Sequence, residues 1–107
     1  MKIYLGVPYS HPDENVMQQR FELVTDKTGE LMNQGHIVYS PITACHPVAE
    51  RCLLPRSWEF WEQLDRTFID WADEVWILML DGWKESTGVN AEIAIAKELG
   101  KPVRYVA

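Results

Sequence analysis

The sequence predicts an α/β fold, a flavodoxin-like or Rossmann-like three-layer sandwich with a small parallel sheet of about four strands. Short apolar runs alternate with longer segments in which apolar residues recur every three or four positions, a pattern that indicates strands joined by helices. The run at residues 74–80 is apolar nearly throughout, as expected of a central parallel strand buried on both faces. In such sheets, ligands bind beyond the carboxyl ends of the strands.

Turn residues separate the predicted elements. Pro8 ends the first strand, and Gly35 and Gly100 end helices. Residues 41–56 contain three prolines and are predicted to be a loop. The elements are, in chain order, strand 2–7, helix 13–33, strand 36–40, helix 58–71, strand 74–80, helix 89–99 and strand 102–106.

Each predicted helix has an apolar stripe that is expected to face the sheet. The stripes are Met17, Phe21, Val24, Thr28 and Leu31 on the first helix, Phe60, Leu64, Phe68 and Trp71 on the second, and Val89, Ile93, Ala96 and Leu99 on the third.

Length and composition bound the function. The 107 residues are expected to form one domain, 1–107, with no apolar run near the ~20 residues of a membrane helix and no signal peptide. A net charge of −6 without a basic stripe argues against duplex nucleic acid, whereas a single nucleotide remains compatible. We therefore expect neither a membrane nor a duplex partner.

Two cysteines, Cys45 and Cys52, flank His46 in the predicted loop. Because nothing points to secretion, reduced thiols in the cytoplasm are favoured over a disulfide. A zinc site needs about four ligands at short spacings, and only His46 is near, so no metal is predicted. No cofactor is expected either.

An acidic residue lies inside an apolar stripe. Glu92 falls between Ala96 and Leu99 on the third helix, where an unpaired charge is costly, which favours a functional role over that of a solvated acid. Asp65 lies at the margin of the second helix's stripe, which by itself is weak evidence. Tyr4 lies mid-strand, where a buried hydroxyl would orient a carboxylate within reach.

The loop before the third helix is a candidate binding segment. Ser86 and Thr87 are good helix N-caps, and the same hydroxyl with free helix amides would hold a phosphate or sugar oxygen. Gly88 allows a ligand to approach the backbone closely. A Walker loop, a GxGxxG motif and a G-x-S-x-G elbow are all absent, which argues against ATP hydrolysis, dinucleotide binding and serine-triad chemistry.

The opening segment Ile-Tyr-Leu-Gly-Val-Pro-Tyr-Ser, residues 3–10, resembles the first strand and loop of the nucleoside 2-deoxyribosyltransferase superfamily. Gly82-Trp83, followed by Ser86-x-Gly88-x-x-x-Glu92, resembles its loop and catalytic-glutamate helix. Asp65 matches the superfamily's acidic residue on the preceding helix. The Pro-Tyr-Ser-His and Gly-Trp-x-x-Ser-x-Gly signatures also resemble a poorly characterised bacterial and phage subfamily.

The resemblance implies cleavage of the base–sugar bond of a nucleotide or nucleoside. It makes Glu92 the nucleophile, Tyr4 the residue that orients it, and Asp65 a sugar ligand or acid toward the base. A helix start favours an ionised nucleophile, and a more apolar site keeps the second acid protonated. Ser86, helped by Ser10, resembles the phosphate contacts of the deoxynucleoside monophosphate N-glycosidase branch. The other candidate ligand contacts are Gly88, Tyr9, His11, His46 and Trp83.

The sequence departs from the superfamily's pattern at two places. The segment Pro8-Tyr9-Ser10-His11 lacks the glycine-serine-arginine phosphate grip of the monophosphate hydrolases, which leaves the substrate open. The C-terminal segment that completes a neighbour's site in the transferases does not follow Val106-Ala107, so we expect hydrolysis over base transfer. A homodimer or higher homo-oligomer is expected of so small a sheet domain. The alternatives are a non-catalytic nucleotide-binding or sensing module and a dinucleotide glycohydrolase.

Overall fold

The computed structural model describes residues 1–107 and has four strands and four helices. In chain order they are β1 (Lys2–Gly6), α1 (Glu14–Asn33), β2 (Ile37–Tyr39), α2 (Pro41–Cys52), α3 (Trp58–Trp71), β3 (Glu74–Leu78), α4 (Thr87–Glu98) and β4 (Val103–Val106).

The strands form one sheet in the order β2-β1-β3-β4, and every neighbouring pair is parallel. This confirms the predicted α/β flavodoxin-like fold with four strands. The strand order reverses between β1 and β3, so a crevice forms where their carboxyl ends diverge. Residues that follow these two strands are therefore placed to meet a ligand.

Two apolar cores cover the two faces of the sheet. Alternate residues of β1 point to opposite faces, so Ile3 and Leu5 pack toward α1 while Tyr4 packs toward α3 and α4. The α1 core consists of Ile3, Leu5, Val7, Val24, Leu31, Val38 and Leu78. The opposite core consists of Tyr4, Ile69, Ala72, Val75, Ile77, Val89, Ile95 and Ala96.

The prediction of a loop at residues 41–56 is wrong over most of this segment, because α2 runs from Pro41 to Cys52. Pro41 stands in the first turn of α2, where its missing N–H would have no intrahelical partner. Pro47 lies inside the helix and removes one backbone hydrogen bond. The helix ends at Leu53, whose φ of 54° is the left-handed conformation usual after a helix. Both cysteines therefore lie on a helix, and both are free thiols.

The predicted stripes of the last two helices are shifted. On α3, the buried residues are Asp65 and Ile69, whereas Phe60 is 47% exposed. On α4, the buried residues are Val89, Glu92, Ile95 and Ala96, whereas the predicted Ile93 and Leu99 are partly buried against the same core. The shift brings one carboxyl from each helix to the centre of its buried face.

Helix α1 shows the predicted boundaries. The Asp13 side chain caps it by accepting from the Asn15 amide at 2.9 Å, and Gly35 follows its end with a φ of 95°. None of the helices is long and apolar enough to cross a membrane.

The shifted stripe on α3 can be tested by unfolding. Ile69 is fully buried, so Ile69→Ala should lower the free energy of unfolding by about 2–5 kcal/mol. Phe60 is 47% exposed, so Phe60→Ala should cost at most about 1 kcal/mol, although it removes more atoms. Urea unfolding of both variants measures the difference. Equal losses of unfolding free energy would contradict the shifted stripe and favour the predicted one.

Candidate active site

A hydrogen bond inside the core joins the central strand to the last helix. The Tyr4 hydroxyl donates to Oε2 of Glu92. Tyr4 has no exposed surface, and Glu92 is only 5% exposed. The pairing offsets part of the cost of taking a carboxyl out of water.

Asp65 completes a cluster with these two residues, which we call the acidic cluster (Tyr4, Asp65 and Glu92). Its side chain is 8% exposed on the inner face of α3, and the Tyr4 hydroxyl lowers its pKa against the larger effect of burial. Three separate elements, β1, α3 and α4, thus bring together the residues that the sequence singled out. The pKa of the Tyr4 phenol is raised well above its usual value by burial and by the charges of both carboxyl groups.

The two carboxyl groups titrate far from their ordinary range. Burial, assisted by the Asp65 charge, raises the pKa of Glu92 to about 8, while the Tyr4 hydrogen bond opposes the shift. Burial also raises the pKa of Asp65 to about 6. Between these values the pair holds one proton, which belongs to both groups.

This result differs from the expectation that the helix start keeps Glu92 ionised. Glu92 lies in the second turn of α4, which begins at Thr87. The field of the helix dipole falls off within the first turn, so burial outweighs it. Glu92 rather than Asp65 is the more basic carboxylate of the free protein.

Gly6 leaves the space that the Glu92 carboxyl group occupies. A Cβ atom at this position would lie 2.8 Å from Oε1 of Glu92 and 3.0 Å from Cδ1 of Ile77. Any side chain at residue 6 would therefore push the carboxyl group away. The sequence did not single out Gly6, because a glycine at the end of a strand is common and Glu92, which it contacts, is far away in the chain.

A cavity of about 970 Å³ opens at the crevice between β1 and β3. Its volume lies within the range of about 300–1,000 Å³ found for small-molecule sites. Asp65 and Glu92 line it, so both carboxyl groups face the space that a ligand would fill. The predicted binding residues that also line it are Tyr9, Ser10, His46, Ser86 and Gly88.

Two predicted ligand contacts lie outside the lining of this cavity. His11 uses Nδ1 to accept a hydrogen bond from the Asp13 amide at 3.0 Å, beside the start of α1. Trp83 packs against Tyr105 of β4, with the ring centroids 5.3 Å apart. These local contacts hold both side chains, and the contact of either with a ligand stays a prediction.

Ser86 has a structural role alongside any contact with a ligand. Its Oγ caps α4 by accepting from the Val89 amide at 3.2 Å. The hydroxyl hydrogen stays available to a ligand, because the cap uses only a lone pair. The residue therefore keeps its predicted position at the cavity wall, with Gly88 beside it.

His46 lies on α2 instead of in the predicted loop, and it is only 4% exposed. Its ring stacks on Phe21 of α1 with the centroids 4.5 Å apart. The hydroxyl of Tyr9 pairs with Nδ1, and Nε2 lies 3.1 Å from Oε1 of Gln18. Phe21, which was predicted only as part of the apolar stripe, and Gln18, which the sequence did not single out, thus fix the orientation of the imidazole.

Arg20 ties together the two loops that border the cavity. Its guanidinium donates to the backbone carbonyls of Tyr9 at 3.3 Å and Ser10 at 3.2 Å, and to that of Asp81 at 2.9 Å. Gly82, with a φ of 90°, passes so close that a Cβ atom there would lie 3.0 Å from Nη2 of Arg20. Sequence reasoning missed Arg20, because one arginine on an amphipathic helix is usually solvated.

The cavity lining carries more acid than base. Its charged residues are Glu14, Glu50, Arg56, Asp65, Glu85 and Glu92. This excess of acid opposes the phosphate dianion that the start of α4 suggested. No group of three or more His, Cys, Asp or Glu side chains is arranged to hold a metal ion.

The chain is similar in structure to a 2-deoxyribosyltransferase from the psychrotolerant bacterium Bacillus psychrosaccharolyticus. The TM-score is 0.65 and the sequence identity 28%, over 98% of this chain and 71% of that protein. The likeness confirms the predicted resemblance to the superfamily. None of the curated proteins matches the chain.

The family described as "Domain of unknown function (DUF1937)" matches residues 1–107, the whole chain. The protein is therefore a member of this family, with the architecture of a 2-deoxyribosyltransferase.

Proposed function

We propose that the protein cleaves the N-glycosidic bond of a nucleoside or nucleotide, with Glu92 as the nucleophile. One observation carries the proposal: two buried carboxyl groups, one of them held by the Tyr4 hydroxyl, line a cavity large enough for a nucleoside at the crevice of the sheet. The likeness to a 2-deoxyribosyltransferase supports glycosyl transfer as the reaction class.

In the first step, a Glu92 carboxylate oxygen bonds to the anomeric carbon as the bond from that carbon to the base breaks. The electron pair of the broken bond goes to the base nitrogen, and the Asp65 carboxylic acid gives its proton to the departing base. The transition state resembles an oxocarbenium ion, which the close carboxylate stabilises. Tyr4 holds Glu92 in place by its hydrogen bond.

In the second step, water attacks the anomeric carbon and gives a proton to the Asp65 carboxylate, while the Glu92 carboxylate leaves. This restores both groups, with one proton between them. A second base in place of water would complete a transfer reaction. We propose hydrolysis as the main reaction, because water needs no binding site of its own.

A non-catalytic nucleotide-binding module is the alternative function. One observation favours it: burial raises the pKa of Glu92 to about 8, so at neutral pH this carboxyl is mostly a neutral partner of Tyr4. Catalysis then requires the proton to sit on Asp65 in a minority of molecules. Turnover measurements separate the two functions, because a binding module releases no base.

Replacing Glu92 tests the nucleophile. Glu92→Gln should lower the rate of base release by at least about 10²–10⁴-fold, since an amide oxygen forms no stable bond to the anomeric carbon. Ligand affinity should stay within a few-fold, because shape and burial are kept. Incubation with a panel of nucleosides and their 5′-monophosphates, followed by chromatography for free base, measures the rate.

The matched control is Glu98→Gln on the same helix, whose side chain is 61% exposed and pairs with Arg66. It should leave the rate unchanged. Unaltered base release by Glu92→Gln would remove Glu92 from the chemistry. Adding a free second base to the reaction distinguishes hydrolysis from transfer by the appearance of a new nucleoside.

The shared proton predicts a bell-shaped pH profile. Turnover needs one ionised and one protonated carboxyl, a state that prevails between about pH 6 and about pH 8. We therefore expect kcat/KM to decrease below about pH 6, where both groups are protonated, and above about pH 8, where both are ionised. A flat profile from pH 5 to 9 would contradict this mechanism.

In Asp65→Asn the neighbouring charge is removed, so the pKa of Glu92 should decrease, which NMR titration of the carboxyl group measures.

The space at Gly6 predicts a coupling with Glu92. Gly6→Ala should lower the free energy of unfolding by about 1–3 kcal/mol, because the new Cβ overlaps the carboxyl group. It should also lower turnover at least tenfold by displacing the nucleophile. In a Glu92→Ala background the same change should cost at least about 1 kcal/mol less, since only the Ile77 contact remains.

Gly29→Ala is the control for this double-mutant cycle. No atom lies within 4 Å of a Cβ at this position of α1, so the change should stabilise the protein by up to about 1 kcal/mol in either background. Additive effects of Gly6→Ala and Glu92→Ala in urea unfolding would show that the two residues do not compete for space.

A further inference from the structure

A second polar cluster lines the cavity and has no part in the proposed reaction. It is a chain of hydrogen bonds from the surface of α1 to the cavity wall, which we call the α1–α2 relay (Glu22, Gln18, His46 and Tyr9). Its central member, His46, is only 4% exposed, and the ring packs face to face on Phe21. Both Tyr9 and His46 line the same cavity as the acidic cluster.

The outer half of the relay has a fixed direction. A carboxylate only accepts hydrogen bonds, so the contact of 3.0 Å between Gln18 and Glu22 is donated by Nε2 of Gln18. This settles which end of the amide points inward. Oε1 of Gln18 therefore faces Nε2 of His46 at 3.1 Å.

The inner half of the relay follows from the outer half. Because Oε1 of Gln18 only accepts, Nε2 of His46 must carry a hydrogen. Oε1 of Glu50, at 3.5 Å from the same nitrogen, is a second acceptor. A neutral imidazole has one N–H, so Nδ1 is left with a lone pair, and the Tyr9 hydroxyl donates to it.

The phenol of Tyr9 keeps the hydrogen that this bond needs. Burial raises its pKa, and the Glu50 charge adds to the shift. Since its single hydrogen is committed to His46, the Tyr9 oxygen presents only lone pairs to the cavity. Without the relay, a hydroxyl would serve as donor or acceptor by rotating.

We propose that Tyr9 is a specificity-determining residue that binds a hydrogen-bond donor of the ligand, either an N–H of the base or an O–H of the sugar, and rejects an acceptor at that point. The proposal rests on the proposed function for the identity of the ligand. Discrimination arises because a ligand acceptor would face an oxygen that has no hydrogen to give, leaving two lone pairs opposed.

The direction of the relay is tested without any ligand. Two-bond ¹⁵N–¹H correlation spectra at pH 8, where an imidazole is ordinarily neutral, identify the protonated ring nitrogen of each histidine. The His46 signals are assigned by their loss in His46→Gln. We expect the hydrogen on Nε2, and a hydrogen on Nδ1 would reverse the relay and overturn the proposal, whether or not the protein is a glycosidase.

The donor contact is tested by ligand binding in a Glu92→Gln background, which prevents turnover. The probes are the tightest-binding of the four common 2′-deoxynucleosides and analogues of it that each lack one donor: a base N–H, the 3′-hydroxyl or the 5′-hydroxyl. Adding Tyr9→Phe removes the oxygen but keeps the ring. It should weaken the parent nucleoside about three- to tenfold and leave one analogue unaffected, which identifies the donor.

The matched control is Tyr105→Phe, a tyrosine of β4 that is 46% exposed and lies outside the cavity lining. It should change none of the affinities. If Tyr9→Phe weakened the parent and every analogue equally, or weakened none of them, Tyr9 would not bind a ligand donor and the proposal would fail. If neither a nucleoside nor its 5′-monophosphate binds the Glu92→Gln protein, the proposed function fails and the Tyr9 contact fails with it. A failure of the Tyr9 contact alone leaves binding of the parent ligand intact.

Discussion

The hydrogen bond between Tyr4 and Glu92 is the constraint on which the site depends. A carboxyl group with almost no contact with water is stable in a core only when a partner meets it. For Glu92 on α4 that partner comes from the sheet beneath the helix. Strand β1 supplies it as Tyr4, on the face covered by α3 and α4. The glycine two residues later then has to lack a side chain, because the carboxyl group fills that volume. One buried acid thus fixes residues 4 and 6 of the first strand.

The same burial couples the chemistry to the stability of the fold. Both carboxyl groups have raised pKa values because the interior disfavours their charge. A raised pKa in the folded state means that folding is favoured at low pH and that this contribution is lost as the pH rises from about 4.5, the ordinary value, toward about 8 for Glu92. A carboxylate that is reactive because it is poorly solvated is destabilising for the same reason. At neutral pH the site therefore contributes less to the stability of the fold than an apolar core of the same shape would.

The sequence predicted the sheet and Glu92, because both leave local patterns, whereas Tyr4 and Asp65 were placed beside Glu92 through the family resemblance. Residues 75–80 form a continuous apolar run, and Glu92 interrupts an apolar stripe. Helix α2 was missed, because Pro41 and Pro47 are typical of loops. The first turn of a helix accepts a proline such as Pro41, and α2 also tolerates Pro47 in its interior. Asp65 was assigned to the margin of the predicted stripe, because that stripe included the exposed Phe60 and the partly buried Phe68 and Trp71. Gly6, Gln18 and Arg20 act on partners distant in the chain, and a single sequence carries no local sign of such contacts.

The contacts of Arg20 bear on how this cavity can change over evolution. The guanidinium holds both bordering loops through main-chain carbonyls, and every amino acid has such a carbonyl. Side chains at Tyr9, Ser10 and Asp81 can therefore be exchanged without loosening the frame that holds them, provided that Gly82 keeps its backbone free of a side chain. Mutational drift in these loops then alters what the cavity accepts while the reacting carboxyl groups stay where they are. The loops are held through backbone atoms, so the side chains that line the cavity are free to change.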